Sequence, residues 1–360
     1  MSTSRLFQPI TVGRLSLSHR VVLAPMTRLR VNPVTFSPLL PSVKDYYVQR
    51  AKVPGTLLIT EGTIIAPKAS GFPGAPEIWT EEQISAWKEV VDGVHAQGSY
   101  IYLQIAAMGR QASPDFLKSR DPTFPHVGPS ALPLAPGAPI PREMTKEEIN
   151  EHIEFFGIAA ANAVHKAGFD GVEVHGANGF LVDQFLQSTS NIRDDEYGGN
   201  VEKRVRFPLE VIERIVKEVG ADRVGLRLSP WNRSAGMRME DPIPTFSHLV
   251  TRVKEVYPDL AFMHVIEARK DIKEFETNDF IREIWAPKPL ISAGGYTRDS
   301  GTQTADEKGD LIAYGRWYIS NPDLPTRLEK NIPLAKYDRP TFYVSGDTSG
   351  VGFTDYPFAQ

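Results

Sequence analysis

The 360-residue chain contains no cysteine, which excludes disulfide bonds, thiolate metal sites and cysteine nucleophiles. It also lacks a strong charge of one sign. Because 40 Lys and Arg residues face 44 Asp and Glu residues, the net charge is −4, which argues against a nucleic-acid or anionic-membrane partner. No run approaches the ~20 uninterrupted apolar residues of a membrane span, and residues 1–9 lack the apolar core of a signal peptide. With no metal-ligating cluster visible either, the composition predicts a cytoplasmic protein that handles small molecules.

Short apolar runs alternate with longer amphipathic stretches, a pattern typical of parallel strands joined by helical crossovers. The predicted strands are residues 20–24, 56–61, 100–104, 171–175, 223–228, 261–266, 290–293 and 311–314. Eight such units close a (β/α)8 TIM barrel, and no internal repeat or linker divides the chain. The sequence therefore predicts a single domain over residues 1–360.

Two helix starts are marked by capping boxes, in which a threonine is followed three residues later by Gln or Glu. The pairs are Thr80 with Gln83 and Thr145 with Glu148. We expect one helix to begin after each threonine, and Gly98 to end the first of them at the C′ position.

A long segment, residues 106–144, separates the third strand from the helix at Thr145. Its second half, residues 130–143, is too rich in proline for a helix interior. Loops of this length in compact domains are usually functional. We interpret the segment as a lid or wall over the barrel mouth; the alternative is a disordered insertion.

The segment of residues 171–204 carries the densest signal. A short apolar strand places His175 and Asn178, two neutral hydrogen-bonding side chains, at its carboxyl end, where parallel barrels keep their chemistry. The order His-Gly-Ala-Asn-Gly, an aromatic residue, then Asn-x-Arg-x-Asp-x-Tyr-Gly-Gly resembles the signature of the old yellow enzyme family. The resemblance runs from residues 6–10 to residues 354–357, with its motifs in family order. It implies a TIM barrel that holds FMN non-covalently, is reduced by NADPH or NADH, and is reoxidised by an activated alkene.

The resemblance also implies which residues contact the flavin. They are Pro25, Met26, Thr27, Gly62, Gln104, Arg227, Gly294, Gly295, Gly315 and Arg316. The ring needs hydrogen bonds along its pyrimidine edge and a cation near N1, where the reduced form is an anion; Gln104 and Arg227 suit these tasks. Taken alone, Arg227 also fits a salt bridge at the barrel rim, and Gln104 an ordinary satisfied polar residue.

The phosphate is expected in the loops after the seventh and eighth strands. Gly294 and Gly295 follow one strand, while Gly315 and Arg316 follow the other. Glycines let backbone N–H groups approach a phosphate, and an arginine pairs with its charge. A single Gly-Gly pair more often marks a turn, but two glycine sites at the two expected strand ends favour a phosphate site.

His175 and Asn178 are spaced to donate two hydrogen bonds to a carbonyl oxygen on which negative charge grows during hydride transfer. Each also has a structural explanation on its own. A histidine at a strand end is often a structural hydrogen-bonding group, and an asparagine before glycine often belongs to a turn.

The sequence departs from the family at several pocket positions. Phe180 replaces the tyrosine that usually protonates the substrate, and phenylalanine has no proton to give. Phe353 replaces another tyrosine, Ala106 replaces a bulky aromatic residue, and the segment of residues 267–278 is shorter than usual. These changes predict a larger and more apolar substrate than a simple cyclohexenone.

Three functions remain open at this point. The first is an FMN-dependent ene-reductase that acts on an α,β-unsaturated aldehyde or ketone, with water or another tyrosine as the proton source. The second is a redox-neutral double-bond isomerase of a secondary-metabolite pathway, in which the enolate survives because no acid quenches it. The third is a non-catalytic flavoprotein. All three imply a small-molecule partner and a monomer or homodimer.

Overall fold

The computed structural model describes residues 4–268 and 276–359 of the chain. The strands are β1 (Ile10–Val12), β2 (Leu15–Leu17), β3 (Val21–Leu23), β4 (Leu57–Ile59), β5 (Thr63–Ile64), β6 (Tyr100–Ala106), β7 (Val127–Gly128), β8 (Arg142–Glu143), β9 (Gly171–Gly176), β10 (Val224–Leu228), β11 (Phe262–Ile266), β12 (Leu290–Ala293) and β13 (Leu311–Tyr314). The helices are α1 (Ser42–Arg50), α2 (Glu81–His95), α3 (Pro114–Arg120), α4 (Lys146–Ala161), α5 (Leu181–Leu186), α6 (Val201–Arg204), α7 (Arg206–Val219), α8 (Ile243–Val256), α9 (Asp279–Trp285), α10 (Arg298–Lys308), α11 (Arg316–Ser320) and α12 (Leu324–Glu329).

Strands β3, β4, β6, β9, β10, β11, β12 and β13 form a closed parallel barrel within the described residues. Strand β4 pairs with β3 on one side and with β6 on the other, and this second pairing closes the ring. The predicted TIM barrel is confirmed. Strand β6 runs two residues further than predicted, because the short strand β5 pairs with Ile105 and Ala106 and extends the ladder.

The barrel interior is apolar toward the amino ends of the strands and polar toward their carboxyl ends. Tyr102 and Phe262 pack with their ring centroids 5.4 Å apart in the apolar layer, and the hairpin β1–β2 covers that end of the barrel. Gly225 faces them, and a Cβ atom there would lie 2.2 Å from the Phe262 ring, so only glycine fits. The polar layer above this packed floor contains Gln104 and Glu173, both buried.

Both predicted helix starts are confirmed. Helices α2 and α4 each begin after a threonine N-cap, Thr80 and Thr145, with both hydrogen bonds of the capping box present. Helix α2 ends at His95 with Ala96 as its C-cap, so the C′ residue is Gln97, and Gly98 lies one residue further along the chain than predicted. Its φ of +73° places it in the left-handed turn that follows the helix.

The chain between β6 and α4 carries α3 and the parallel pair β7–β8. The inserted segment begins after Ala106, which belongs to β6. Near its start, Met108 and Gln111 border a cavity at the carboxyl end of the barrel. That the segment acts as a lid stays a prediction.

Among the described residues, no helix combines the length and apolar character needed to cross a membrane. In the same part of the chain, no three His, Asp or Glu side chains are grouped so that they could hold a metal ion.

Candidate active site

Three cavities lie side by side at the carboxyl ends of the barrel strands, and Pro25 and Arg227 border all three. Their volumes are about 340, 330 and 810 Å³. We name them the glycine cavity, the histidine cavity and the outer cavity, after the residues that define them: Gly294 and Gly315, His175 and Phe180, and Trp231 and Asn232, respectively.

The structure brings together nearly all of the residues that the sequence singled out. The predicted flavin contacts all border these cavities: Pro25, Met26, Thr27, Gly62, Gln104, Arg227, Gly294, Gly295, Gly315 and Arg316. His175, Asn178 and Phe180 border the histidine cavity. Their roles toward a cofactor or substrate stay predictions.

The glycine cavity has room for an anion against bare backbone. A Cβ atom on Gly294 would lie 2.8 Å from the Glu267 Cβ, and one on Gly315 would lie 3.0 Å from the Met26 Sδ. Side chains at these two positions would collide with these neighbours, so the backbone stays bare at the edge of the cavity. The guanidinium of Arg316 also borders the cavity and lies 5.4 Å from the centre of the Tyr337 ring. Bare backbone with an adjacent cation suits a phosphate group.

Two polar side chains from neighbouring parts of the barrel border the histidine cavity beside Gly62. Gln104 is almost fully buried on β6, and a Cβ atom on Gly62 would lie 3.3 Å from its Oε1. Arg227 on β10 is 7% exposed and lies in register with His175 on β9. An amide and a cation so placed fit the pyrimidine edge and N1 region of a flavin ring.

His175 is a neutral imidazole in this environment. Its pKa lies well below the ordinary value, because the ring is buried and because positive charge on Arg227, and on His264 when that ring is protonated, disfavours a second cation nearby. The Nδ1 atom of His175 is buried and has no hydrogen-bond partner among the described residues. A neutral ring that retains hydrogen-bonding capacity is suited to a ligand oxygen at this position.

The turn that carries Asn178 is held from several sides. Asn178 has a φ of +56°, in the left-handed region. Its backbone N–H donates to the Ser229 Oγ at 2.9 Å, and its carbonyl accepts from the Gln111 Nε2 at 3.0 Å. The Asn232 Nδ2 donates to the Asn178 Oδ1 at 3.3 Å, which turns the Asn178 NH2 group away from Asn232. The carboxamide can therefore act as a donor to a ligand.

A buried carboxylate stabilises the next peptide of the same turn. The N–H of Gly179 donates to the Asp183 Oδ2 at 2.8 Å. Burial raises the pKa of Asp183 to about 6, although hydrogen bonds from Gln187, Gly179 and Ser229 oppose the shift.

Phe180 forms the apolar side of the histidine cavity next to His175. The two ring centroids are 4.3 Å apart and the ring planes make an angle of 33°. Among the described residues that border this cavity there is no Tyr, Lys, Asp or Glu side chain. The cavity therefore offers hydrogen bonds to an oxygen but no carboxyl, ammonium or phenol proton.

Two predicted pocket residues lie elsewhere. Ala106 is fully buried behind Gly62, where an added Cβ atom would be 3.9 Å from the Ala106 Cβ. Phe353 is stacked on Tyr46 with ring centroids 4.4 Å apart, and the guanidinium of Arg28 lies 4.8 Å from the centre of the Phe353 ring. Neither borders the three cavities, and their contact with substrate stays a prediction. Most of the segment expected to be shortened, residues 269–275, lies outside the described part of the chain.

Sequence reasoning missed much of the wall of the histidine cavity. The missed residues are Ile64, Phe72, Ala75, Met108 and Gln111. Ile64 ends the two-residue strand β5, and the other four lie in the segments that follow β5 or β6, where no periodicity marks them. It also missed Glu173, for which a signal existed: Glu173 precedes His175 by two residues on one strand, so both side chains face the barrel interior.

The chain matches the family described as NADH:flavin oxidoreductase / NADH oxidase over residues 5–335. A protein from Epichloe festucae var. lolii named probable inactive reductase easA is 47% identical over 375 residues, which cover 100% of this chain and 97% of that protein. Chanoclavine-I aldehyde reductase fgaOx3 from Penicillium roqueforti (strain FM164) is 47% identical over 365 residues, with coverages of 99% and 97%. The old yellow enzyme from Pichia sp. AKU4542 has a TM-score of 0.91 at 36% identity, covering 99% of this chain and 94% of that chain.

A parallel barrel with these cavities at its rim, together with the family match over residues 5–335, places the molecule in the class of flavin-dependent oxidoreductases. The chain belongs to the NADH:flavin oxidoreductase / NADH oxidase family and shares its fold with old yellow enzymes. FMN and a reduced nicotinamide are its cofactors. The prediction of an ene-reductase-type FMN oxidoreductase is confirmed at this level.

The lowered pKa of His175 predicts how stability depends on pH. Below about pH 6.5 the unfolded chain binds a proton at this position while the folded protein does not, so the free energy of unfolding falls on acidification, by at most ~1.4 kcal/mol per pH unit for one such group. We expect the fall between about pH 6.5 and pH 5 to be shallower in His175→Asn, as measured by urea unfolding.

His95 provides the control of opposite sign. Its hydrogen bond to Asp170 raises its pKa, so it stabilises the fold as pH decreases. We expect His95→Gln to steepen the loss of stability on acidification. Identical pH slopes for His175→Asn and the parent would show that His175 titrates as it does in the unfolded chain.

Proposed function

We propose that the protein reduces the C=C bond of an α,β-unsaturated aldehyde or ketone. The observation that carries this proposal is the histidine cavity, where two neutral hydrogen-bonding side chains, His175 and Asn178, lie beside the buried cation of Arg227. The remaining wall is largely apolar and suits a hydrocarbon skeleton. The name of the Penicillium roqueforti relative, an aldehyde reductase, supports this class of substrate.

In this proposal, FMN occupies the space between Gly62 and the glycine cavity and supplies hydride transfer from the nicotinamide to the alkene. Arg227 faces the N1 region, where a fixed positive charge favours the reduced ring. Thr27 and Arg316 border the glycine cavity, where Thr27 would hold the C4 carbonyl of the ring and Arg316 would pair with the phosphate.

His175 and Asn178 hold the carbonyl oxygen of the substrate. Negative charge grows on this oxygen as the β-carbon is reduced, and two preorganised donors stabilise the charge more in the transition state than in the ground state. Asn232 supports this role because its bond to the Asn178 Oδ1 leaves the NH2 group of Asn178 as the donor.

Among its described residues, the histidine cavity contains no carboxyl, ammonium or phenol group that could deliver a proton to the α-carbon. Phe180 has no hydroxyl, and loss of a general acid typically costs ~10²–10⁴ in rate. Water then serves as the proton source for net reduction. The outer cavity, of about 810 Å³, gives water and a large substrate access to this side of the site.

A redox-neutral isomerase is the second candidate function, and the missing acid favours it. An enolate that is not quenched lives long enough to rearrange before hydride returns. The name of the Epichloe festucae relative, a probable inactive reductase, fits a protein of this shape that does not complete net reduction.

We further propose that the protein works in the cytoplasm as a monomer or homodimer built from one domain. The absence of cysteine supports a reducing compartment, and the barrel contains all of the proposed cofactor contacts within one chain.

Substitution of two arginines, Arg227 and Arg316, should distinguish the contact to the flavin ring from the contact to the phosphate of FMN. We expect Arg227→Met to make flavin reduction less favourable, because the cation facing the reduced ring is lost. Arg316→Met, the matched control, should weaken FMN binding by about tenfold and leave the reduction potential near that of the parent. The measurements are FMN titration and a spectroscopic redox titration. An unchanged potential in Arg227→Met would remove Arg227 from the N1 region.

The proposed activity is tested by anaerobic half-reactions. Protein loaded with FMN is reduced with NADPH or NADH and then mixed with enals and enones of increasing size. Stoichiometric return of the oxidised flavin absorbance with formation of saturated product establishes reduction. Rearranged product with the flavin still reduced establishes the isomerase, and failure of both half-reactions establishes a non-catalytic flavoprotein.

Restoring a phenol at position 180 should change the product. We expect Phe180→Tyr to raise net alkene reduction and to suppress rearrangement, because a general acid then lies above the α-carbon. Phe72→Tyr, which adds a hydroxyl elsewhere on the wall of the same cavity, is the control. Product analysis in deuterated solvent reports where the proton enters. The same rate and product ratio in Phe180→Tyr as in the parent would contradict a controlling role for the missing hydroxyl.

A further inference from the structure

Glu173 is a buried carboxylate that does not border any of the three cavities. It lies on β9 inside the barrel, is fully buried, and each of its oxygens accepts one hydrogen bond. The Gln104 Nε2 donates to Oε1 at 2.7 Å, and the His264 Nδ1 donates to Oε2 at 2.7 Å. Both partners are themselves buried, so the carboxylate is held in one orientation.

This pairing determines which end of the Gln104 amide faces the cavity. An ionised carboxylate only accepts hydrogen bonds, so the NH2 group of Gln104 is committed to Glu173. The Gln104 Oε1 is then left on the side of Gly62, where an added Cβ atom would lie 3.3 Å from it. Gln104 therefore presents an acceptor to the cavity, and a ligand in contact with it must supply a donor.

His264, the histidine that contacts Glu173, does not neutralise the negative charge of the Glu173 carboxylate. Burial and the positive charge of Arg227 lower the pKa of His264, although Glu173 opposes the shift. The ring is therefore neutral, with its one N–H proton on Nδ1, which donates a hydrogen bond to Glu173. His264 lies in register with Arg227 on the adjacent strand. Glu173 therefore stays next to Gln104, and Gln104 borders the same cavity as Arg227.

We propose that Glu173 is a positioning residue for the flavin. It fixes Gln104 so that the Gln104 Oε1 accepts the N3–H of the pyrimidine edge, and its charge opposes that of Arg227 below the ring. This inference rests on FMN occupying the histidine and glycine cavities as proposed above. The imide N3–H is the donor on that edge which an acceptor at Gln104 matches.

Glu173→Gln tests the proposal because it keeps the size of the side chain and removes the charge that commits the Gln104 amide. We expect FMN affinity to fall by about tenfold, since a charge-assisted hydrogen bond no longer orients the acceptor. We expect the reduction potential to move to a more positive value, because a negative charge near the reduced ring is lost.

Two further measurements separate positioning from general destabilisation. Affinity for FMN methylated at N3 should change little in Glu173→Gln, because this ligand has no N3–H to donate, so discrimination between the two flavins shrinks. In a Gln104→Leu background, Glu173→Gln should cause no further loss of FMN affinity. The control is Glu77→Gln, because Glu77 is a buried carboxylate that likewise accepts from a glutamine, the Gln83 Nε2 at 3.0 Å, but does not border the three cavities.

The outcomes are distinguishable. An unchanged FMN affinity and potential in folded Glu173→Gln, or an equal loss in the Gln104→Leu background, would overturn the role of Glu173. If Glu173→Gln does not fold, the affinities of the parent protein for FMN and for N3-methylated FMN are compared instead. A difference of less than twofold would contradict an acceptor at Gln104. Failure of the parent itself to bind FMN would refute the proposed function rather than this inference.

Discussion

The parallel pairing of β4 with β6 is the contact on which the rest of the arrangement depends. It leaves no open edge in the ring of barrel strands within the described residues, and it brings their carboxyl ends to one rim. Thr27, Gln104 and Arg227 are far apart along the chain but border adjacent cavities for this reason. The packed ring interior beneath them, with Tyr102 against Phe262, forms a rigid floor that keeps the polar layer in place.

Burial then determines the charges at the rim. His175 and His264 flank Arg227 in register and are kept neutral, because a further cation in this poorly solvated layer is unfavourable. Arg227 is thus left as the positive charge of this layer and Glu173 as its carboxylate. The same environment that lowers the pKa of His175 makes it a neutral hydrogen-bonding group rather than an acid, and this suits an oxygen anchor better than a proton source.

The fold of this protein does not by itself determine its net reaction. The barrel is that of a flavin-dependent oxidoreductase family, whereas the cavity wall at Phe180 has no hydroxyl group to supply a proton. Relatives of nearly equal identity are named as an aldehyde reductase and as a probable inactive reductase. The family match therefore establishes an FMN-dependent oxidoreductase, whereas in the proposed function the side chains of the histidine cavity select between reduction and rearrangement.

The sequence by itself determined the barrel, the two capped helices and the rim residues, because strand periodicity, capping boxes and strand-end polar residues are local signals. The structure extended β6, showed that Ala106 and Phe353 do not line the cavities, and supplied a cavity wall of Phe72, Ala75 and Met108. Those loop positions follow no period in the chain. Pairings such as Gln104 with Glu173, and Asn178 with Asn232, likewise appear only when the barrel closes, because residues distant in sequence become neighbours only through tertiary packing.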